Sequence, residues 1–185
     1  MTRTSLFAPV VLTIVLAGPA RGQSPDPLTG GATFNYELIK DFVTRSAAEM
    51  PVEHYAFRPT PEVRTFAQLI GHLADANYRL CAVAAGEDPL RQGVEATETT
   101  TAGLAEALAE SFAYCDGVYA DMTDAVGAQV VGLEVGGEAR IPIELPKLSV
   151  LAFHTQHAFE HYGNIVTYMR MNGLVPPSSA PRGGP

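Results

Sequence analysis

The sequence predicts an all-α protein, a four-helix bundle with a long crossover between its second and third helices and a small hairpin or loop insertion before the last. Three observations predict it: four stretches whose apolar residues recur at a helical period, glycine and proline punctuation at their ends, and a long polar connector between the second and third stretches. A helix with one apolar stripe can bury it only against another element, and four such helices satisfy one another in a bundle.

The first 22 residues stand outside that fold. Arg3 precedes an apolar run from Leu6 to Ala17 that contains no acidic residue, and Ala20-Arg21-Gly22 sets small residues around a cleavage position, the pattern of a secretory signal peptide. The run is short of the roughly 20 residues that cross a hydrocarbon core, and Pro9 and Pro19 interrupt or end it. Cleavage after Gly22 predicts a periplasmic or extracellular protein without a stable membrane anchor. Removing residues 1–22 from 185 leaves 163, the size of one domain. The removed piece carries Arg3 and Arg21 and no acid, so the net charge moves from −8 to −10. Such a surface excludes a nucleic-acid partner, which needs positive charge to neutralise phosphates.

Residues 23–32 are rich in proline and glycine and read as a flexible leader, so the bundle domain is expected over 33–177. Helix one spans about Thr33 to Met50, with Phe34, Leu38, Ile39 and Phe42 at helical spacing. Pro51, Pro59 and Pro61 make the next segment a connector. Helix two starts at Thr65-Phe66-Ala67-Gln68, where the threonine caps and the glutamine reaches back, and runs to about Ala85 with a stripe of Phe66, Leu69, Leu73, Leu80 and Ala84. The connector from Gly86 to Thr100 exceeds a tight helix-helix turn, so helices two and three need not be antiparallel neighbours. Helix three, about Ala102 to Thr123, lines up Leu104, Leu108, Phe112, Cys115, Tyr119 and Met122. Cys115 thus reads as a small buried apolar residue; in an oxidising compartment a disulfide with Cys81 is permitted, but sequence alone does not decide it. β-Branched residues around Gly136-Gly137 suit a two-residue hairpin turn. The last helix begins between Pro146 and Ser149 and stops at Asn172-Gly173, backed by Pro176-Pro177, which leaves 178–185 as a disordered tail.

Three of the five histidines fall within eight residues of the last helix, and that clustering is the main chemical signal. At about 100° per residue, His154, His157 and His161 share one face with Val150, Ala158, Ile165 and Tyr168, so their rings point into the bundle, where an unpartnered polar ring is costly. The pair at i and i+4, His157 and His161, brings two ring nitrogens close enough to bind one ion. His72, at the edge of the helix-two stripe, supplies a third ligand, and Asp75, one turn on, is placed to orient its free ring nitrogen. Three imidazoles with a vacant position describe a catalytic rather than a closed structural site. The bland alternative is a set of hydrogen-bonded core histidines. His154 reads as a satisfied core residue or an outer donor, and His54, in the proline-rich connector, as a surface or packing residue.

His157-Ala158-Phe159-Glu160-His161 also matches the H-x-x-E-H pattern of inverted zinc proteases, with Glu160 as general base. That pattern takes a further carboxylate from downstream, and no Asp or Glu follows Glu160.

Gly71-His72-Leu73-Ala74-Asp75-Ala76-Asn77 and His157-Ala158-Phe159-Glu160-His161-Tyr162-Gly163-Asn164 together resemble the two histidine motifs of the DinB-like, damage-inducible family, over about Phe34 to Ser178. The resemblance implies a four-helix bundle with a long crossover, often dimeric, that binds nickel, zinc or a similar ion such as iron or manganese through His72, His157 and His161. It also implies a possible thiol-dependent transferase or isomerase activity, as in some relatives. Tyr162 and Asn164 stand where many relatives carry Arg and Gln, and export removes the chain from the cytosolic thiol pool; both weigh against thiol transfer here. The expectation is therefore an exported protein holding a divalent metal on three histidines, a metal-dependent hydrolase or transferase acting on a small molecule, with Glu160 and Asp75 as candidate proton carriers. The alternative is a non-catalytic bundle in which the metal fixes helix two to the last helix.

Overall fold

The computed structural model describes residues 25–135 and 141–181. The expected signal peptide at 1–22, the Gly136-Gly137 turn and the last residues of the tail lie outside the described residues.

In chain order the elements are α1 (Pro27–Glu49), α2 (Phe66–Ala85), a one-turn α3 (Val94–Thr97), α4 (Thr101–Ala120), a one-turn α5 (Asp124–Gly127), strands β1 (Val130–Val135) and β2 (Ile141–Pro146), and α6 (Lys147–Met171). The four long helices make the bundle. Direction follows from which residues meet. Asn77 meets Ser111 and Cys81 meets Cys115, so α2 and α4 run parallel. His72 meets His157 while Lys147 reaches the Ala85 carbonyl, so α2 and α6 run antiparallel. Tyr36 and Phe42 of α1 face His154 and Tyr162 of α6 in the same sense, whereas Thr29 and Tyr36 face Asp124 and Asp116 in the opposite sense to α4.

Parallel neighbours cannot be joined by a tight turn. A 20-residue helix is about 30 Å long, and returning along it takes at least about nine extended residues. The segment 86–100 supplies that length. It returns beside the start of α2, where Val94 and Glu95 dock against Gly71 and Asp75. The expected crossover is therefore present, and the helices it joins are parallel partners.

Local signals account for the helix ends. Thr65 and Gln68 form the reciprocal capping box at the start of α2. Gly173 closes α6 at φ 76°, and its neighbour Leu174 donates to the Met169 carbonyl, a Schellman closure that a side chain at 173 would strain. The buried stripes of α2 and α4 match those expected, and Phe66, Leu73, Leu80 and Cys115 lie fully inside.

Helix α1 departs from expectation. It begins at Pro27, inside the segment read as a flexible leader. Pro27 occupies the first helical turn with its φ already set, and the Asp124 carboxylate accepts the backbone N–H groups of Leu28 and Thr29, while Asp26 accepts the N–H of Asp124. Two helix starts cap each other across the bundle, and this holds a helix through the poor formers Gly30 and Gly31. Its buried face is Tyr36, Ile39 and Val43; Phe34, expected in the stripe, is 68% exposed. The tail is likewise held as far as Ser179: a 3₁₀ turn spans Pro177–Ser179, the Ser178 N–H donates to the Tyr162 hydroxyl, and Arg170 donates to Ser179.

Cys81 and Cys115 form a disulfide between α2 and α4. Cys115 is buried as read, but as half of a crosslink. The two strands pair antiparallel from Val130↔Pro146 to Val135↔Ile141, and Leu133 tucks beneath them. No helix among the described residues is long and apolar enough to cross a membrane.

Candidate metal centre

Helix α2 contributes His72 and α6 contributes His157 and His161, one helical turn apart. One nitrogen from each ring lies within 4.8 Å of the other two. His72 Nε2 and His157 Nε2 are 3.1 Å apart, and the His161 ring sits edge-on to both, with centroid distances of 4.6 Å to His72 and 4.5 Å to His157. Three nitrogens bound to one tetrahedral ion at about 2.0–2.1 Å would stand about 3.3 Å apart. The rings are close to that arrangement.

Burial lowers the proton affinity of all three. His157 is pushed down to about 3 by burial, with the neighbouring His161 and His72 adding to it. His72 and His161 are also lowered by burial first, then by Arg64 beside His72 and by His72 beside His161. The rings are neutral near pH 7, and neutral imidazole is the form that offers a lone pair to a cation.

His161 carries the strongest sign of a missing partner. Both of its ring nitrogens are buried, and neither has a hydrogen-bond partner. A buried polar atom left unpaired costs about 1–3 kcal/mol, and native structures rarely tolerate two on one ring without a ligand. The all-imidazole donor set fits a borderline divalent metal such as nickel, zinc, copper or iron, and manganese less well because it favours oxygen donors.

His72 is oriented by a residue the sequence reading missed. Its Nδ1 lies 3.0 Å from Glu95 Oε2, and Glu95 Oε1 accepts from Arg64 Nε at 2.8 Å. Asp75, expected to orient His72, does something else: Oδ1 accepts the N–H of Val94 at 2.8 Å and Oδ2 accepts that of Glu95 at 3.0 Å. It caps the exposed start of α3, and the carboxylate facing His72 comes from the crossover instead. The signal that could have found this is Gly71. A Cβ there would stand 2.7 Å from the Glu95 Cα, so the glycine before His72 marks a backbone pressed against the helix.

The other histidines fall outside the cluster. His154 is fully buried, its Nε2 2.8 Å from Asn77 Oδ1 and its Nδ1 3.2 Å from the Tyr119 hydroxyl. Asn77 donates its amide to Ser111 Oγ, so its oxygen accepts from His154 Nε2, and the Tyr119 hydroxyl shares its single proton between the Leu151 carbonyl at 3.1 Å and His154 Nδ1. His154 is thus a satisfied core residue. His54 ends a 3₁₀ turn at Val52–His54, away from these rings.

A cavity of about 620 Å³ opens on His72 and His157 between Asp75, Arg79, the crossover at Gln92 and Gly93, and Leu133 of β1. A second, of about 480 Å³, borders His161 between Arg64, Glu95, Glu160 and Asn164. Glu160 is exposed and lines this second opening beside His161; Asp75 lines the first.

Comparison with known proteins agrees with the fold. A DinB-like protein from Bacillus cereus superposes with a TM-score of 0.66 at 14% identity, over 80% of this chain and 95% of that one. Another from Bacillus subtilis gives 0.63 at 17% identity, over 82% and 99%. A mycothiol-dependent maleylpyruvate isomerase gives 0.57 at 15% identity, over 74% of this chain and 60% of the isomerase. No curated protein matches the chain. A sequence model of the DinB superfamily matches residues 40–165, a span that holds His72, His157, His161 and the crossover between them, and the chain belongs to that superfamily.

Proposed function

We propose that this is an exported, metal-dependent enzyme that holds one divalent ion on His72, His157 and His161 and acts on a small molecule admitted through the larger cavity. The observation that carries the reading is the buried His161 ring with two partnerless nitrogens, within reach of two other neutral imidazoles. The cavity that opens on His72 and His157 favours a catalytic site over a closed structural one, because a structural ion is enclosed by four protein ligands. A divalent metal bound there supplies a Lewis acid, either to acidify a bound water or to polarise a carbonyl, as in a hydrolase or transferase.

The chain's own residues divide the remaining work. Glu160, exposed beside His161, lines the second opening and is the candidate proton carrier for a small molecule that reaches the ion from that side. Asp75 lines the larger cavity, with each of its oxygens already accepting one backbone N–H of the crossover. Leu133 and the crossover at Gln92 and Gly93 wall the larger cavity.

Metal analysis of the purified mature protein tests the reading. Stoichiometric nickel, zinc, iron or manganese is expected in the wild type and in His154→Ala, and none in His72→Ala, His157→Ala or His161→Ala. An empty wild type that gains no thermal stability from any of these ions overturns the site. A substrate screen on the loaded protein, including low-molecular-weight thiol adducts because one structural neighbour is a mycothiol-dependent isomerase, then tests catalysis; activity that survives chelation contradicts the enzyme reading.

A further inference from the structure

The crossover does more than connect two parallel helices, because it brings a carboxylate to the back of one proposed ligand. Four features converge there. Glu95 Oε2 lies 3.0 Å from His72 Nδ1, and its other oxygen is held by Arg64 at 2.8 Å. The backbone beneath Glu95 is fastened by Asp75, which takes the N–H groups of both Val94 and Glu95. Gly71 has no side chain to hold that backbone away. Arg64 is anchored in turn, since its carbonyl accepts the Tyr168 hydroxyl of α6 at 2.8 Å.

We infer that Glu95 is a positioning residue for the metal centre: its carboxylate holds the proton of His72 on Nδ1 and thereby keeps the Nε2 lone pair turned toward His157 and His161. A carboxylate only accepts hydrogen bonds, so the ring nitrogen facing it carries the hydrogen, and a neutral imidazole then has its lone pair on the other nitrogen. That other nitrogen is the one 3.1 Å from His157 Nε2. The contact fixes the tautomer and the ring rotation together and raises the basicity of the ligand, the general role of a carboxylate behind a metal-binding imidazole. Gly71 and Asp75 act one step further out by setting where Glu95 stands. The centre is therefore assembled from three parts of the chain, α2, α6 and the crossover.

This inference rests on the three-histidine reading, and the experiment separates the two. Zinc affinity is measured by chelator competition for the wild type, Glu95→Gln and Glu95→Ala, and the His72 ring is followed by long-range ¹H–¹⁵N correlation in the zinc-free and zinc-loaded proteins. Glu95→Ala is expected to lose about 10–100-fold in affinity. Glu95→Gln, whose amide oxygen still accepts from Nδ1, is expected to recover most of that loss. The wild-type spectrum should show His72 protonated at Nδ1 and ligated through Nε2, and Glu95→Ala should show a mixture of tautomers in the zinc-free protein. A role limited to bracing the crossover would lower melting temperature without changing the tautomer or distinguishing Gln from Ala, and that result overturns the inference. Equal zinc affinity in all three proteins also overturns it while leaving the metal site standing. A wild type that binds no zinc, nickel, iron or manganese overturns the underlying reading itself.

Discussion

His154 and His161 stand two turns apart on one face of α6, both buried, yet their surroundings are opposite. His154 has a partner on each nitrogen, Asn77 and Tyr119, in a network that ties α6 to α2 and α4. His161 has none on either nitrogen. Burial alone therefore says little about a histidine. What distinguishes a core ring from a ligand is whether the protein has already satisfied its nitrogens, and only His161 leaves that open. The two positions should respond to mutation in opposite ways.

The largest expected effect is on metal binding. His161→Ala, His72→Ala and His157→Ala are expected to lower affinity by more than about 100-fold, since two imidazoles bind far more weakly than three. In the metal-free state His161→Ala should cost about 1 kcal/mol or less, because it removes a ring whose polar atoms were unpaired. His154→Ala should do the reverse, keeping metal while losing about 2–4 kcal/mol in urea unfolding, because it opens a void and leaves the buried Asn77 Oδ1 without its donor. If both variants lose metal and stability equally, the comparison fails.

The disulfide sharpens it next. Cys81 and Cys115 are separated by 34 residues and join the two parallel helices near the His154 network. Replacing both with serine is expected to cost about 3 kcal/mol by removing a constraint on the unfolded chain, with metal content unchanged. Loss of metal in that variant would mean that the core and the site are not separable.

Gly71→Ala probes the opposite border. A methyl 2.7 Å from the Glu95 backbone must push α3 away, so about 1–3 kcal/mol of stability should go, together with part of the metal affinity. Retention of full affinity would show that the crossover can shift without disturbing His72.

The most gradual effect is with pH. Burial lowers His154 from 6.5 to about 4, with Tyr119 and Asn77 facing it and no charged group among its hydrogen-bond partners. The unfolded ring takes up a proton below 6.5 and the folded ring does not, so stability present above pH 6.5 should fall as pH drops from 6.5 toward 4, by at most about 1.4 kcal/mol per unit. The metal-free His154→Gln protein should show a shallower decline than the metal-free wild type. An identical decline in both would assign the acid sensitivity to other groups.

Much of this was legible in the sequence. The stripes of α2 and α4, the Thr65–Gln68 capping box, the glycine stop at 173 and the three convergent histidines all follow from local periodicity and spacing. What failed was tertiary. The start of α1 depends on Asp124, 95 residues away from Thr29, and no local signal anticipates that cap. The rotation of α1, which leaves Phe34 outside and Tyr36 stacked on Tyr119 inside, is set by the partners it meets. Asp75 was assigned to His72 by helical proximity, but the crossover competes for the same carboxylate and wins both its oxygens. Glu95 lay in a polar connector, and Gly71 marks that a backbone presses against α2 at that turn without marking which acid of the connector it brings.

The most direct measurement is anomalous diffraction at the metal edge from crystals of the protein grown with zinc. The account predicts a single peak among the three rings, about 2.0–2.1 Å from one nitrogen each of His72, His157 and His161, with Glu95 still against His72 Nδ1. A peak absent there, or centred instead on His154 and the cysteines, would contradict it.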